Sequence, residues 1–229
     1  MVKRLRTLGN KTDLAKSVVV IGLGRFGGAL AKELVTLGRE VLGVDTDERR
    51  VQEHAPMLSH VVKATSTDEE VLRELGVTDF DAAVVAVGSD LEVSILTASI
   101  LLQMGVKQVW AKATSESHGR ILTQLGVHHV VYPEAEMGKR VAHQVGGDQL
   151  DYVEIDEGFV MAKTRAADAF NGMTLDQLGL RREYGIIVVA TSKGNSEFAA
   201  ATPQTLIVGG DFMIVAGPKD RIAAFCKLG

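Results

Sequence analysis

Gly22-Leu-Gly24-Arg-Phe-Gly27 is a G-x-G-x-x-G pattern, a spacing that builds a backbone floor for phosphate. The first glycine permits a tight turn, and the second lets the backbone approach a pyrophosphate. The third lets a helix pack close to the strand before it. Amides at the tip of that helix then face the anion, aided by the helix dipole. Asp45 stands 18 residues beyond Gly27, where a carboxylate accepts hydrogen bonds from ribose hydroxyls. An acid there favours a free 2′-hydroxyl and repels a 2′-phosphate. With 24 glycines in the chain, the pattern alone is weak evidence and its context must decide.

The context is a strand, the motif, a helix and a second strand that ends at the acid. Residues 17–21, Ser-Val-Val-Val-Ile, read as a buried strand. Helical periodicity follows through Phe26, Leu30, Leu34 and Leu37, stopped by Gly38, and residues 41–44 form the next strand. The same helix–glycine–strand punctuation recurs at Leu75-Gly76-Val77, Met104-Gly105-Val106 and Leu125-Gly126-Val127. Further strands are expected near residues 61–62, 82–87, 109–112 and 129–132. Alternating strands and helices with short links predict an α/β, Rossmann-like, doubly wound parallel sheet of about six strands.

Pro133 suits the first turn of a helix running through Met137 and Val141, and Gly146-Gly147-Asp148 breaks it. Residues 1–16 are thus expected to be a tail and residues 17–145 the Rossmann-type domain. Residues 149–229 form a small α+β module. Its strands are expected near 152–155, 160–164, 186–191 and 212–216, with a short helix capped by Thr174 and a last helix from Asp220. At about 80 residues it lies near the lower limit for folding alone, so it is expected to pack on a copy of itself or on a partner.

In such a sheet ligands lie beyond the carboxyl ends of the strands. That rule marks residues 65–68, including Thr67, then Gly88-Ser89-Asp90, and Lys112. Asp68 and Asp90 also suit the N-terminal turn of a helix, and that reading is preferred for both. Lys112 either contacts phosphate or lies at a solvated rim.

Composition narrows the function classes. Hydrophobic residues at 46% and charged residues at 24% are ordinary globular values, which excludes a disordered chain. A net charge of −4 and 5% aromatics argue against a nucleic-acid surface. The single cysteine, Cys226, points to a reducing compartment. No apolar run approaches a bilayer crossing, and Lys3, Arg4, Arg6 and Lys11 precede no signal-peptide core. A cytoplasmic protein with a solvated basic tail is expected, the tail's other use being a docking arm. There is no H-E-x-x-H, no P-loop lysine and no G-x-S-x-G. His118, His128, His129 and His143 form no obvious metal set, so binding is favoured over catalysis.

Five blocks together resemble the Ktr/Trk-type potassium-uptake regulatory subunits, the RCK family. They are Gly-Leu-Gly-Arg-Phe-Gly-Gly (22–28), Val-Asp-Thr-Asp (44–47), Val-Ala-Val-Gly (85–88), Val-Trp-Ala-Lys-Ala (109–113) and Tyr-Pro-Glu-Ala-Glu-Met-Gly (132–138). Gly-Asp-Phe-Met-Ile-Val-Ala-Gly (210–217) extends the resemblance into the last module, which would be RCK_C-like. The resemblance implies a cytoplasmic regulator of a separate membrane potassium-transporting subunit (KtrB/TrkH-like), with dimers assembled into an octameric ring. The nucleotide-site set it implies is Gly22, Gly24, Arg25, Phe26, Gly27, Asp45, Asp47, Thr67, Gly88 and Lys112. Arg25 would sense the terminal phosphate of ATP, against a plain solvated charge. Glu134 would help hold Mg²⁺, Ca²⁺ or Na⁺ near the phosphates, against a helix-terminal acid. Cyclic di-AMP, bound by some family members, is disfavoured by apolar Ile186-Ile187.

Three function classes follow. The first, and the one preferred, is a regulator binding ATP or ADP, with an NAD(H)-binding Trk-type variant as its alternative. An NAD-dependent oxidoreductase rests on the same glycines but lacks an evident proton donor. A transcriptional regulator lacks both the basic charge and a helix-turn-helix.

Overall fold

The computed structural model describes residues 15–145, 151–194 and 196–228. Its first unit alternates strand and helix. The order is β1 (Ser17–Ile21), α1 (Arg25–Thr36), β2 (Glu40–Asp45), α2 (Glu48–His54), β3 (His60–Lys63), α3 (Glu69–Glu74) and β4 (Ala82–Val85). Then come α4 (Leu91–Gln103), β5 (Val109–Lys112), α5 (Glu116–Leu125), β6 (His129–Val131) and α6 (Pro133–Val145). All six strands are parallel, in the order β3-β2-β1-β4-β5-β6. That is the doubly wound order, with its reversal between β1 and β4, as the strand pattern predicted.

Both faces of the sheet are covered, which explains why β1 reads as a continuous apolar run. Val19 and Ile21 pack with Val85, Leu72, Leu101 and Leu122 on one face. Val18 and Val20 pack with Val41, Val84, Ala31 and Leu58 on the other. α1 meets the sheet through small residues, because Gly27, Gly28 and Ala31 are its buried positions. Phe26, Leu30 and Leu34 flank that contact half-buried. Leu37, expected to continue the apolar stripe, is instead the C-cap and 61% exposed; Gly38 turns the chain away at φ 75°. β4 ends two residues earlier than expected, because Ala86 and Val87 leave the ladder to line a cleft.

The start of the sheet is tied by a carboxylate. Asp81 Oδ2 accepts from the amides of Lys16, at 2.9 Å, and Ser17, at 3.3 Å, and Oδ1 accepts from Lys107 Nζ at 3.1 Å. The Lys16 amide first, then Lys107 and Ser17, hold its carboxyl down to about 2. A carboxyl whose folded pKa is depressed stabilises the fold above its unfolded value and loses that effect as pH falls through the folded value. Asp81→Asn should therefore melt below wild type near neutral pH, with the gap closing as pH falls from about 4 to about 2. Thermal melts across that range test it; a gap constant with pH would rule it out.

The chain divides into two compact units, one up to Glu134 and one from Ala135, so that α6 begins in the first and all but its first two residues belong to the second. The glycines expected to break the chain at 146–148 lie outside the described residues. The second unit holds β7 (Asp151–Asp156), β8 (Phe159–Arg165), α7 (Leu175–Leu178), α8 (Leu180–Glu183), β9 (Ile187–Ser192), β10 (Ala199–Ala200), β11 (Phe212–Pro218) and α9 (Lys219–Cys226). Its antiparallel sheet runs β10-β9-β11-β8-β7. One face buries Val160, Ala162, Met213 and Val215 against Ile222, Phe225 and Cys226 of α9. Thr174 caps α7 in a reciprocal box with Gln177, as its position suggested. The two-residue β10 and the single-turn α8 are too short to leave a periodic signal in sequence.

Candidate nucleotide-binding cleft

A cleft of about 710 Å³ opens at the carboxyl ends of β1 to β5, the size of a small-molecule site. Gly22, Gly24, Arg25, Phe26, Asp45, Thr67, Gly88, Lys112 and Glu134 all line it. Two of the expected residues do not. Gly27 lies behind the floor, where an added Cβ would fall 1.8 Å from the Gly22 carbonyl oxygen. Asp47 caps α2 through the Arg49 amide at 2.9 Å, and hydrogen bonds from Arg49 hold its carboxyl below the usual range. Its own amide donates to Asp45 Oδ1 at 2.9 Å. Both residues support the cleft without facing into it.

The helix tips at this edge differ from one another. Asp47, Asp68, Asp90 and Ser115 cap α2, α3, α4 and α5 with their own side chains. Asp68 and Asp90 thus act as helix caps, the preferred reading of each. Among the described residues no side chain caps α1, and its first turn carries no acid. Its amides are left for an exogenous anion. Gly22 sits at φ 93° with its Cβ position 3.1 Å from the Val87 amide nitrogen, so a side chain there is excluded by conformation and by space.

Two more cations flank that tip. Arg25 lies on the rim. Lys112 is only 9% exposed, with its ammonium 5.8 Å from the Phe26 ring centroid. Gly88 leaves room for it, since a Cβ there would stand 3.1 Å from Nζ. The ammonium donates to Glu134, whose carboxyl it holds below the usual carboxylate range, with Arg25 adding a smaller pull. Glu134 is otherwise exposed, at the first turn of α6. Among the described residues no three His, Cys, Asp or Glu side chains cluster as a metal site. A cation at Glu134 would need oxygen ligands from a phosphate or from another chain.

At the opposite end, Asp45 is 6% exposed and closes the glycine loop. Its Oδ2 accepts from the Leu23 amide at 2.7 Å and from Arg50 Nη1 at 3.3 Å. Thr46 and Ser66 line the cleft from stretches the sequence singled out, and Arg50 and Thr114 line it with no motif to mark them. Arg50 sits five residues past Asp45 and four before His54, the buried residue of α2, a helical spacing that was there to find. Three of the histidines singled out in the sequence keep structural roles. His118 is buried, accepts from the Thr114 amide at 3.3 Å, and is pushed below the usual imidazole range by burial. His128 accepts from the Val109 amide at 3.0 Å, and His129 stacks on Trp110.

Comparison with known proteins agrees with this architecture. The TrkA-N domain model matches residues 18–133 and the TrkA-C domain model residues 166–228. The chain is 40% identical over 215 residues to Ktr system potassium uptake protein C of Bacillus subtilis, covering 93% of this chain and 97% of that one. The chain belongs to the Ktr/Trk potassium-uptake family. A second Ktr/Trk relative, Ktr system potassium uptake protein A of Vibrio alginolyticus, is 37% identical over 91% of this chain and 95% of its own. A solved structure of the GsuK channel bound to NAD shares the fold at TM-score 0.65 and 16% identity, covering 95% of this chain and 40% of that one. No helix among the described residues is long and apolar enough to cross a membrane. In this Ktr/Trk member all of the cleft lining but Glu134 falls within the TrkA-N match, and the TrkA-C match takes in β9, β10, β11 and α9, with β7 and β8 of that sheet before it.

Proposed function

We propose that this chain is the nucleotide-sensing regulatory subunit of a potassium-uptake system, binding ATP and ADP in its cleft. It works on the cytoplasmic face, through a membrane potassium-transporting subunit and as a ring assembled from dimers. The uncapped tip of α1, flanked by Arg25 and Lys112, carries this reading. A triphosphate needs more cationic partners than a diphosphate, and guanidinium matches phosphate bidentately. Membership of a family named for potassium uptake supports the partner.

The sensing step follows from Lys112. Within the chain its ammonium is held by Glu134. A bound phosphate offers Lys112 a stronger partner and frees Glu134 at the start of α6. A ligand shifts shape only by differential contact with two states, and this exchange of partners supplies one. The freed carboxylate, beside phosphate oxygens, is then suited to Mg²⁺, Ca²⁺ or Na⁺.

Native mass spectrometry and thermal shift on the purified chain test the reading together. ATP and ADP should be retained and raise the melting temperature, on an oligomer of several subunits. Arg25→Ala should weaken ATP by about tenfold or more and ADP by less than about threefold. The alternative, an NAD(H)-binding regulator, predicts NADH as the only stabilising ligand. That outcome, or a monomer at every concentration, would overturn the proposal.

A further inference from the structure

Arg50 is the cation at the sugar end of the cleft, and lone-pair accounting gives it a role. A carboxylate offers about four acceptor positions, two on each oxygen. Asp45 Oδ1 takes the Asp47 amide at 2.9 Å, and Oδ2 takes the Leu23 amide at 2.7 Å and Arg50 Nη1 at 3.3 Å. Three positions are thus filled from within the protein. A ribose diol that pairs one hydroxyl with each oxygen needs a place on Oδ2, and Arg50 holds it. Two amides and a guanidinium also meet the carboxylate's charge, so its repulsion of a nearby anion is largely offset.

The backbone beneath Arg50 is pinned, while its head is reachable. Its carbonyl oxygen pairs with His54 Nδ1 at 2.8 Å. His54 is buried, and its ring fills the space beside Gly28 of α1, where an added Cβ would stand 2.4 Å from Nε2. α2 is thereby locked to the glycine helix. The Arg50 side chain is 49% exposed and lines the cleft with Thr46. The guanidinium has N–H donors beyond the one on buried Asp45, and its Nε lies 3.9 Å from Asp47 Oδ2. An arginine beside the ribose position is the group that accommodates a 2′-phosphate in folds of this class.

We infer that Arg50 determines specificity at the sugar end, letting the cleft accept an adenine nucleotide that carries a phosphate on the ribose 2′-oxygen. Asp45 holds the loop, and Arg50 decides what may sit against it. With Nη1 kept on Asp45, the guanidinium presents its remaining N–H groups to the 2′-phosphate and pairs with it bidentately. This departs from the expectation, drawn from Asp45 alone, that a 2′-phosphate is repelled. It deepens the nucleotide-binding proposal and rests on it.

Calorimetric titration of the full chain with AMP and with adenosine 2′,5′-bisphosphate tests the inference, with ADP as the control ligand. Wild type should bind the bisphosphate within about tenfold of AMP. Arg50→Ala should weaken the bisphosphate by about tenfold or more while AMP changes less than about threefold, and Arg50→Lys should recover part of the loss. A merely structural role would weaken both ligands alike, and that result overturns the inference. So does a wild type that binds AMP and ADP but rejects the bisphosphate by about a hundredfold. Failure of every adenine nucleotide, ADP and ATP included, to bind wild type would instead bring down the nucleotide-binding proposal, and this inference with it.

Discussion

Gly27→Ala is expected to cost more than about 3 kcal/mol of stability and to abolish nucleotide-dependent stabilisation. An alanine Cβ would lie 1.8 Å from the Gly22 carbonyl oxygen and 2.9 Å from Ala86 Cβ. Neither neighbour is the free end of a flexible side chain. Gly22 is held by its amide on the Val44 carbonyl at 2.7 Å, and Ala86 by its amide on the Ile21 carbonyl at 2.7 Å. α1 must therefore lift from β1, and the phosphate floor moves with it. Gly24→Ala is the matched control, since the nearest atom to its Cβ would be Arg50 Nη1 at 3.9 Å and its φ is −66°. That variant should fold near wild-type stability and lose affinity only, because a methyl group stands where phosphate approaches the backbone. Chemical denaturation and thermal shift with ATP separate the two cases. Equal stability for both glycine variants would show that close helix–strand approach is not what Gly27 provides.

Asp45→Asn should be the second large effect, despite nearly identical shape. Both carboxylate oxygens accept backbone amides, from Leu23 on one side and Asp47 on the other. Asparagine must present its own N–H₂ to one of those donors, leaving a buried amide facing a donor. That loss is worth about 2–3 kcal/mol. Since the Leu23 amide belongs to the glycine loop, nucleotide affinity should fall by about tenfold or more as well. Unaltered stability in urea, with ATP binding kept, would mean that Asp45 does not organise the loop. Arg50→Ala in the same background should add little to the loss of stability, because the ion pair between Arg50 and Asp45 is already gone.

The phosphate floor was legible because its determinants are local. Only glycine tolerates φ 93° at position 22 beside a neighbouring amide, and a valine-rich strand needs no distant information to announce itself. The parallel, doubly wound sheet followed from alternation and short links, rules that act between neighbouring elements. Gly38, Gly76, Gly105 and Gly126, each at positive φ, marked the helix ends for the same reason. Boundaries were less legible: Leu37 fits a helical stripe by spacing, yet α1 ends at Thr36 and Leu37, its C-cap, stays exposed.

The amino-acid sequence by itself therefore determined the Rossmann-like sheet, the glycine turn and the acid at the end of β2, since each depends on backbone conformation and short-range spacing. The tertiary structure alone decided how those groups are used. Lys112 and Glu134 are 22 residues apart, and only the order of strands brings one ammonium to one carboxylate. Whether Asp45 has lone pairs to spare depends on the amides of Leu23 and Asp47 and on an arginine of the next helix. Such pairings are set by distances across the fold, and spacing along the chain does not encode them.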